Sequence, residues 1–262
     1  THNFESPLLR WMAGLGLTVI VEKGAGHSSR ITDDAYAAAG AKIGSASDAK
    51  SADVVLKVRR PNAAEIKSYK KGAAIIAAMD PYGQNDAVKA MADAGLSAFA
   101  MEFMPRITRA QVMDILSSQA NLAGYQAVID ASAEYDRAMP MMMTAAGTVA
   151  AAKVFVMGAG VAGLQAIATA RRLGAVVTAT DVRPAAKEQV ASLGAKFIAV
   201  EDEEFKAAET AGGYAKEMSK EYQAKQAALT AEHIKKQDIV ITTALIPGRP
   251  APKLVSAEMV KS

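Results

Sequence analysis

Three glycines, Gly158, Gly160 and Gly163, form the pattern G-x-G-x-x-G at the end of the apolar run 154–157. In such a turn the first glycine permits a tight bend, the second lets a pyrophosphate approach the backbone, and the third lets the next helix pack closely. Free N–H groups and the positive dipole end of that helix suit phosphate oxygens. The complete strand–turn–helix context favours a dinucleotide-binding turn over glycines selected for packing alone. The residues assigned to this turn are Gly158, Gly160, Val161, Ala162 and Gly163.

A second strand-like run, residues 176–180, ends in an acid about 20 residues after the glycine pattern, where a dinucleotide-binding unit needs one. We predict that this acid, Asp181, accepts hydrogen bonds from the adenosine ribose hydroxyls. Its charge would repel a 2′-phosphate, which favours NAD(H) over NADP(H). Arg183 keeps the second possibility open, because a guanidinium can receive that phosphate. We assign Asp181, Val182 and Arg183 to cofactor binding.

The composition argues against several other kinds of site. The chain has no cysteine, and His2, His27 and His233 lack the spacing of metal ligands, so we expect no metal. Basic residues are interspersed with acids and the net charge is only +3, which disfavours nucleic-acid binding. The most apolar run, residues 154–170, is too short and too rich in glycine for a membrane span, so we expect no direct membrane insertion.

Strand-like and helix-like runs alternate in both halves of the chain, which is typical of parallel βαβ units. The predicted strands are 18–22, 54–58, 73–78, 97–101, 154–157, 176–180, 196–200 and 239–243. Residues 108–138 contain no proline and one glycine, and their apolar residues recur at helical spacing. This pattern predicts one long helix, or two abutting ones, between the halves.

The resulting prediction is an α/β fold of two Rossmann-like parallel-sheet domains joined by a long helix. Residues 1–107 form the first domain, 108–138 the linker helix and 139–262 the nucleotide-binding domain. Three consecutive methionines, Met141, Met142 and Met143, are expected to pack inside the protein.

Several segments, in one order along the chain, resemble the NAD(H)-binding domain of proton-translocating nicotinamide nucleotide transhydrogenase, of the bacterial alpha-subunit type. Together with the glycine pattern they are residues 24–26, 57–61, 104–111 continuing to 118, 142–148, 211–218 and 242–248. The resemblance implies a further strand before Thr1 and another after Ser262, so both domains are expected to be incomplete at these ends.

The resemblance also implies an activity. In that family this domain holds NADH, a partner domain holds NADP⁺, and hydride passes directly between the two nicotinamides. A membrane domain couples the exchange to proton translocation. The chain is then expected to be a homodimer on the cytoplasmic face of a bacterial membrane, without NADP(H) of its own. No catalytic acid or base is needed, because the protein's task is to position the cofactor.

Carried over by position, Arg106, Gln111, Asp114 and Ser117 are expected around the nicotinamide and its ribose. In a helix, Gln111, Asp114 and Ser117 would share one broad face. The resemblance places Gly213 and Tyr214 at the tip of a loop that closes over the nucleotide. Thr243 and Leu245 follow a strand that ends beside the binding crevice.

Two alternatives remain open at this point. An alanine dehydrogenase has the same architecture, but that family places a lysine where this chain has Arg59 and a histidine where it has Asp80. An arginine is too basic to exchange protons, so this alternative is disfavoured. A non-catalytic NAD-binding redox sensor is the second alternative.

Overall fold

The computed structural model describes residues 5–105, 107–207, 218–246 and 248–262. The chain divides into two compact units, Thr1–Met113 and Asp114–Ser262. Each unit is built around parallel strands, as the alternating pattern predicts.

The first unit contains two parallel sheets. Its helices and strands are α1 (Glu5–Gly14), β1 (Ile20–Glu22), α2 (Asp33–Ala38), β2 (Lys42–Gly44), β3 (Val54–Arg59), α3 (Ala63–Ser68), β4 (Ala74–Ala78), α4 (Asn85–Asp93) and β5 (Ser97–Ala100). Short 3₁₀ segments lie at His27–Ser29, Asp48–Lys50, Met101–Phe103 and Thr108–Met113. β1 pairs with β2, and the larger sheet has the order β3-β4-β5.

One face of the β3-β4-β5 sheet forms the main core of the first unit. Val55 and Ile75 are register partners on this face, and both are buried against Ile66 of α3 and Met91 of α4. Asn62 fixes the start of α3, because its side chain accepts hydrogen bonds from the Ala64 and Glu65 amides.

The second unit begins with the long helix and continues into a four-stranded sheet. Its elements are α5 (Ile115–Glu134), β6 (Met142–Thr144), β7 (Gly147–Val149), β8 (Lys153–Met157), α6 (Val161–Arg172), β9 (Val176–Thr180), α7 (Ala186–Ser192), β10 (Lys196–Phe197), α8 (Glu203–Lys206), α9 (Lys220–Ile234), β11 (Ile239–Thr242) and α10 (Ala257–Lys261). The sheet order is β10-β9-β8-β11, and all of its pairs are parallel. This order is that of a dinucleotide-binding sheet, in which the first strand, β8, lies between the second and the fourth.

The central strand β8 is buried on both faces. Val154 and Val156 point into a core shared with α5, α6 and α7, whereas Phe155 and Met157 pack with Ile234 of α9 on the opposite face. A strand covered on both sides has a continuous apolar sequence, which explains why residues 154–157 stand out.

The helix α5 packs closely against α6 at a glycine. A Cβ atom built on Gly124 would lie 2.0 Å from the Ala162 carbonyl oxygen, so no larger residue fits without a backbone shift. Val128, further along α5, is buried against the four-stranded sheet. The long helix therefore belongs to the second unit by its packing.

Two expectations are wrong in detail. The methionines at 141–143 are exposed in this chain, on and beside the antiparallel β6–β7 hairpin. The residues 108–118 do not form one continuous helix, because the 3₁₀ segment ends at Met113 and α5 begins at Ile115.

Candidate functional site

The glycine pattern forms a tight turn between β8 and α6. Gly158 has φ +103°, a conformation that other residues rarely adopt, and its N–H donates to the Thr180 carbonyl oxygen at 2.8 Å. A Cβ on Gly163 would lie 1.7 Å from the Gly158 carbonyl oxygen. The first and third glycines are therefore required by the turn and by the close approach of α6.

The second glycine has a different environment. Gly160 is the N-cap of α6, and a Cβ built on it would meet nothing within 4 Å. Because glycine has no side chain with which to cap the helix, the first-turn amides near Val161 and Ala162 keep their need for an acceptor. Open space above these amides is what a pyrophosphate group requires.

Asp181 lies at the carboxyl end of β9, beside the glycine turn, and its side chain is only 8% exposed. The Ala159 amide donates to its Oδ2 at 2.7 Å, which ties the end of β9 to the glycine turn. The Arg183 amide donates to Oδ1 at 2.9 Å. The Arg183 guanidinium donates to both oxygens, from Nε at 2.9 Å and from Nη2 at 3.0 Å.

These contacts keep Asp181 ionised. Burial raises the pKa of its carboxyl group, but hydrogen bonds from the Arg183 side chain and from the Ala159 and Arg183 amides lower it further, and the net pKa is below the ordinary value. A buried carboxylate at this position can accept hydrogen bonds from sugar hydroxyls and repels a phosphate. Val182, the next residue, is exposed beside it.

The carboxyl end of β11 borders the same turn. The Thr243 hydroxyl donates to the Gly158 carbonyl oxygen at 2.8 Å, and the Thr243 amide donates to the Met157 carbonyl oxygen at 2.9 Å. Leu245 follows with its side chain largely exposed. The structure therefore brings Thr243, Asp181 and the glycine turn together, as the carboxyl ends of parallel strands predict.

Sequence reasoning missed two residues that support this site. The Gln226 side chain of α9 donates to Thr180 Oγ1 at 3.1 Å and accepts from the Val200 amide at 2.9 Å, so it holds the strand end that carries Asp181. Gly124 lets α5 contact the first turn of α6. A single glycine within an otherwise unbroken helical pattern was a signal for Gly124, whereas no local pattern indicates Gln226.

Asp114 and Ser117 lie together at the start of α5. Asp114 is the N-cap, with its Oδ1 accepting from the Leu116 and Ser117 amides at 2.9 and 3.0 Å, and its Oδ2 accepting from the Ser117 hydroxyl at 2.7 Å. Gln111 instead lies in the 3₁₀ segment of the first unit, with an exposed side chain. The expected shared helical face is therefore wrong, because Asp114 starts a new helix.

Arg106, Gly213 and Tyr214 lie outside the described residues. The segments on either side of residues 208–217 contact each other, because Glu204 accepts hydrogen bonds from the Ser219 amide and hydroxyl. Phe205 and Met218 pack with the buried Tyr222. Burial, followed by the charges of Asp202, Glu204 and Glu201, raises the pKa of Tyr222 to about 12, so this phenol stays neutral.

The strand ends of the first unit carry the residues that bear on a dehydrogenase. Asp80 follows β4 with φ +43°, and the Glu102 carboxylate accepts from the Asp80 and Met79 amides at 2.5 and 3.0 Å. Arg60 donates to the Met79 and Asp80 carbonyl oxygens at 2.7 and 2.8 Å. Arg59 is exposed. These contacts fix the backbone of the loop.

Among the described residues, no group of three or more potential ligands could hold a metal ion. No helix in the described parts of the chain is long and apolar enough to cross a membrane.

Comparison with known proteins gives the family. The model described as "Alanine dehydrogenase/PNT, C-terminal domain" matches residues 127–262, and "Alanine dehydrogenase/PNT, N-terminal domain" matches residues 9–123. The chain belongs to the alanine dehydrogenase/PNT family. The predicted family and the two-domain α/β fold are thereby confirmed.

Within this family the chain is similar to transhydrogenase subunits. It is 58% identical to an NAD(P) transhydrogenase alpha subunit of Rhodospirillum rubrum, over 97% of this chain and 68% of that protein. Identity to alanine dehydrogenase 1 of Staphylococcus aureus is 32%, over 97% and 63%. A solved transhydrogenase structure from Sinorhizobium meliloti is 70% identical, covers 98% of this chain and 69% of that one, and has a TM-score of 0.88.

Proposed function

We propose that this chain is the NAD(H)-binding component of a proton-translocating transhydrogenase and presents the nicotinamide for direct hydride transfer to NADP⁺ held on a partner domain. The observation that carries the proposal is the glycine turn joined to Asp181 through the Ala159 amide. It places a phosphate-sized space and a ribose-recognising carboxylate side by side, and the similarity to transhydrogenase subunits supplies the reaction.

The described residues fit NAD(H). The pyrophosphate would lie against Gly160 and the first-turn amides of α6, with Val161 and Ala162 beside it. Asp181 would accept the adenosine ribose hydroxyls, with Val182 and Arg183 at the rim, and its charge disfavours a 2′-phosphate. Thr243 and Leu245 would border the same crevice from β11. Gly213 and Tyr214 would cover the nucleotide.

The bound cofactor supplies the hydride, so the protein needs no general acid or base. Arg106, Gln111, Asp114 and Ser117 are proposed to position the nicotinamide and its ribose. Asp114 already holds Ser117 by a hydrogen bond, which fixes both side chains at the start of α5. A fixed orientation of the reacting ring contributes to the rate through proximity.

The partners follow from the same proposal. They are an NADP(H)-binding domain and a membrane domain that couples transfer to proton translocation, and the chain itself would act as a homodimer. It would lie on the cytoplasmic face of a bacterial membrane without inserting. The similarity to bacterial alpha-subunit proteins supports this placement.

The test measures hydride transfer from NADH to an NADP⁺ analogue after the partner domains are added to this chain. Transfer without any amino or keto acid is expected. Turnover of pyruvate with ammonia would instead identify an alanine dehydrogenase, which the family similarity keeps as a second candidate. NADH binding with neither reaction would identify a redox sensor. The exposed Arg59 and the positive-φ Asp80 stand where that dehydrogenase would need a lysine and a histidine.

A further inference from the structure

The Asp181 carboxylate accepts four hydrogen bonds in this structure, two on each oxygen. Oδ1 accepts from the Arg183 amide and from Arg183 Nε, and Oδ2 accepts from the Ala159 amide and from Arg183 Nη2. An ionised carboxylate offers about four lone-pair sites. Its capacity is therefore filled before any ligand arrives.

The four donors are of two kinds. The amides of Ala159 and Arg183 belong to the backbone of the glycine turn and of the loop after β9, so they hold the carboxylate in place. The other two donors are the parallel N–H groups of one guanidinium, whose side chain is 30% exposed while that of Asp181 is 8% exposed. An exposed arginine side chain can rotate away without moving the backbone.

A ribose presents the same pattern as this guanidinium. Two neighbouring hydroxyls donate side by side to the two oxygens of one carboxylate, as the forked N–H groups of arginine do. The backbone amides cannot leave, so the diol needs the two positions that the guanidinium holds. We propose that the Arg183 guanidinium occupies the position of the ribose diol and must be displaced when NAD(H) binds, which makes Arg183 a determinant of nucleotide affinity.

This inference rests on the proposed function, because it assumes that Asp181 receives the ribose. It adds a competitor built into the chain. Part of the free energy gained from the diol replaces the Arg183–Asp181 pair, so the observed affinity is lower than the ribose contact alone would give. A partly exposed ion pair is worth little, and its removal is expected to tighten binding by about two- to five-fold.

The experiment measures the dissociation constant of NADH by fluorescence titration for wild type, Arg183→Ala and Arg183→Gln. Arg183→Ala is expected to bind about two- to five-fold tighter, and Arg183→Gln to lie between it and wild type, because an amide offers a weaker, uncharged donor. Arg172→Ala is the matched control, since it removes the same charge at the opposite end of α6. Unchanged or weaker binding by both Arg183 variants would overturn the inference.

A second set of ligands tests the mechanism. ADP has both ribose hydroxyls, whereas 2′-deoxy-ADP has one and can share the carboxylate with a guanidinium N–H. The gain from Arg183→Ala is therefore expected to be larger for ADP than for 2′-deoxy-ADP, and equal gains would contradict displacement by the diol.

Asp181→Asn separates this inference from the proposed function. If it weakens NADH binding while Arg183→Ala does not tighten it, the ribose site stands and the displacement is wrong. If Asp181→Asn leaves the affinity unchanged, the ribose site itself is wrong, and the inference fails with it. In the Asp181→Asn background the gain from Arg183→Ala is expected to disappear, because the competing ion pair is already lost.

Discussion

The two main sheets of this chain differ in how their faces are covered. In the second unit β8 is buried on both faces, and Phe155 is 0% exposed. In the first unit one face of β3 is buried, while Val58 on the other is 86% exposed. Leu56, Ile76 and Phe99 form a cross-strand row on this open face. Doubly covered strands fix the ends of the sheet rigidly, and the nucleotide site lies at the ends of the doubly covered sheet.

The strand ends of the two units also use a carboxylate differently. Glu102 accepts two backbone amides in the first unit, and the nearby Arg60 donates to backbone carbonyl oxygens. Burial raises the pKa of Glu102, but the amides of Asp80 and Met79 outweigh it, with the Arg60 charge, and the net pKa is lowered. Asp181 also accepts two amides, but its arginine binds the carboxylate itself. The first arrangement is structural, whereas the second can be exchanged for a ligand.

The largest expected effect tests the two sheets. Phe155→Ala should lower the free energy of unfolding by about 3–5 kcal/mol, because it leaves a cavity in a fully buried site. Phe99→Ala, at a side chain that is 56% exposed, should cost about 1 kcal/mol or less. Urea unfolding followed by circular dichroism measures both variants. Similar losses would contradict the difference in coverage.

The next effect separates two glycines of one turn. Gly163→Ala forces a methyl group onto the Gly158 carbonyl and should cost about 1–3 kcal/mol of stability together with NADH binding. Gly160→Ala meets no protein atom and should change stability by about 1 kcal/mol or less. It should still weaken NADH binding roughly tenfold or more, because the methyl group fills the space for the pyrophosphate.

Thermal unfolding and NADH titration of both glycine variants provide the measurement. A Gly160→Ala protein that binds NADH as wild type does would show that the pyrophosphate lies elsewhere.

The third prediction compares the two carboxylates. Asp181→Asn should lower NADH affinity by about tenfold or more, since a hydrogen bond to a charged group contributes about 1.5–3 kcal/mol. Glu102→Gln should leave NADH affinity unchanged and lower stability by about 1 kcal/mol, because it weakens only backbone contacts. Titration with NADH and urea unfolding distinguish the two. Loss of affinity in Glu102→Gln would contradict its structural role.

The smallest effect concerns pH. His233 of α9 lies edge-on to Phe155 and shares a 2.8 Å hydrogen bond with Thr178 Oγ1. Burial, followed by the charges of Lys236 and Lys196, lowers its pKa below the ordinary 6.5. Its stabilising contribution is therefore complete above about pH 6.5 and is lost as the pH falls through the lowered value. His233→Gln should flatten this part of the stability profile, measured by unfolding at a series of pH values. A wild-type profile that is identical in slope would exclude the contribution.

Local patterns predicted the elements well where one segment decides its own structure. The strands β8, β9 and β11 and the turn between β8 and α6 follow from apolar runs and glycines that need no distant partner. β10 is shorter than predicted, because the Val200 amide binds the Gln226 side chain instead of continuing the strand. The helix beginning at Ile115 depends on the cap by Asp114, which hydrophobic periodicity does not register.

The sequence by itself determined the dinucleotide turn, the acid after the second strand and the family, because these depend on residue types at fixed spacing. Only the tertiary structure decided which groups fill the Asp181 carboxylate. Ala159 is 22 positions away along the chain, and its contact exists because β8 and β9 end side by side. Hydrogen bonds require donors within about 3 Å and in line with a lone pair, and spacing along the chain does not specify such directions. The competing position of Arg183 is therefore a property of the folded protein.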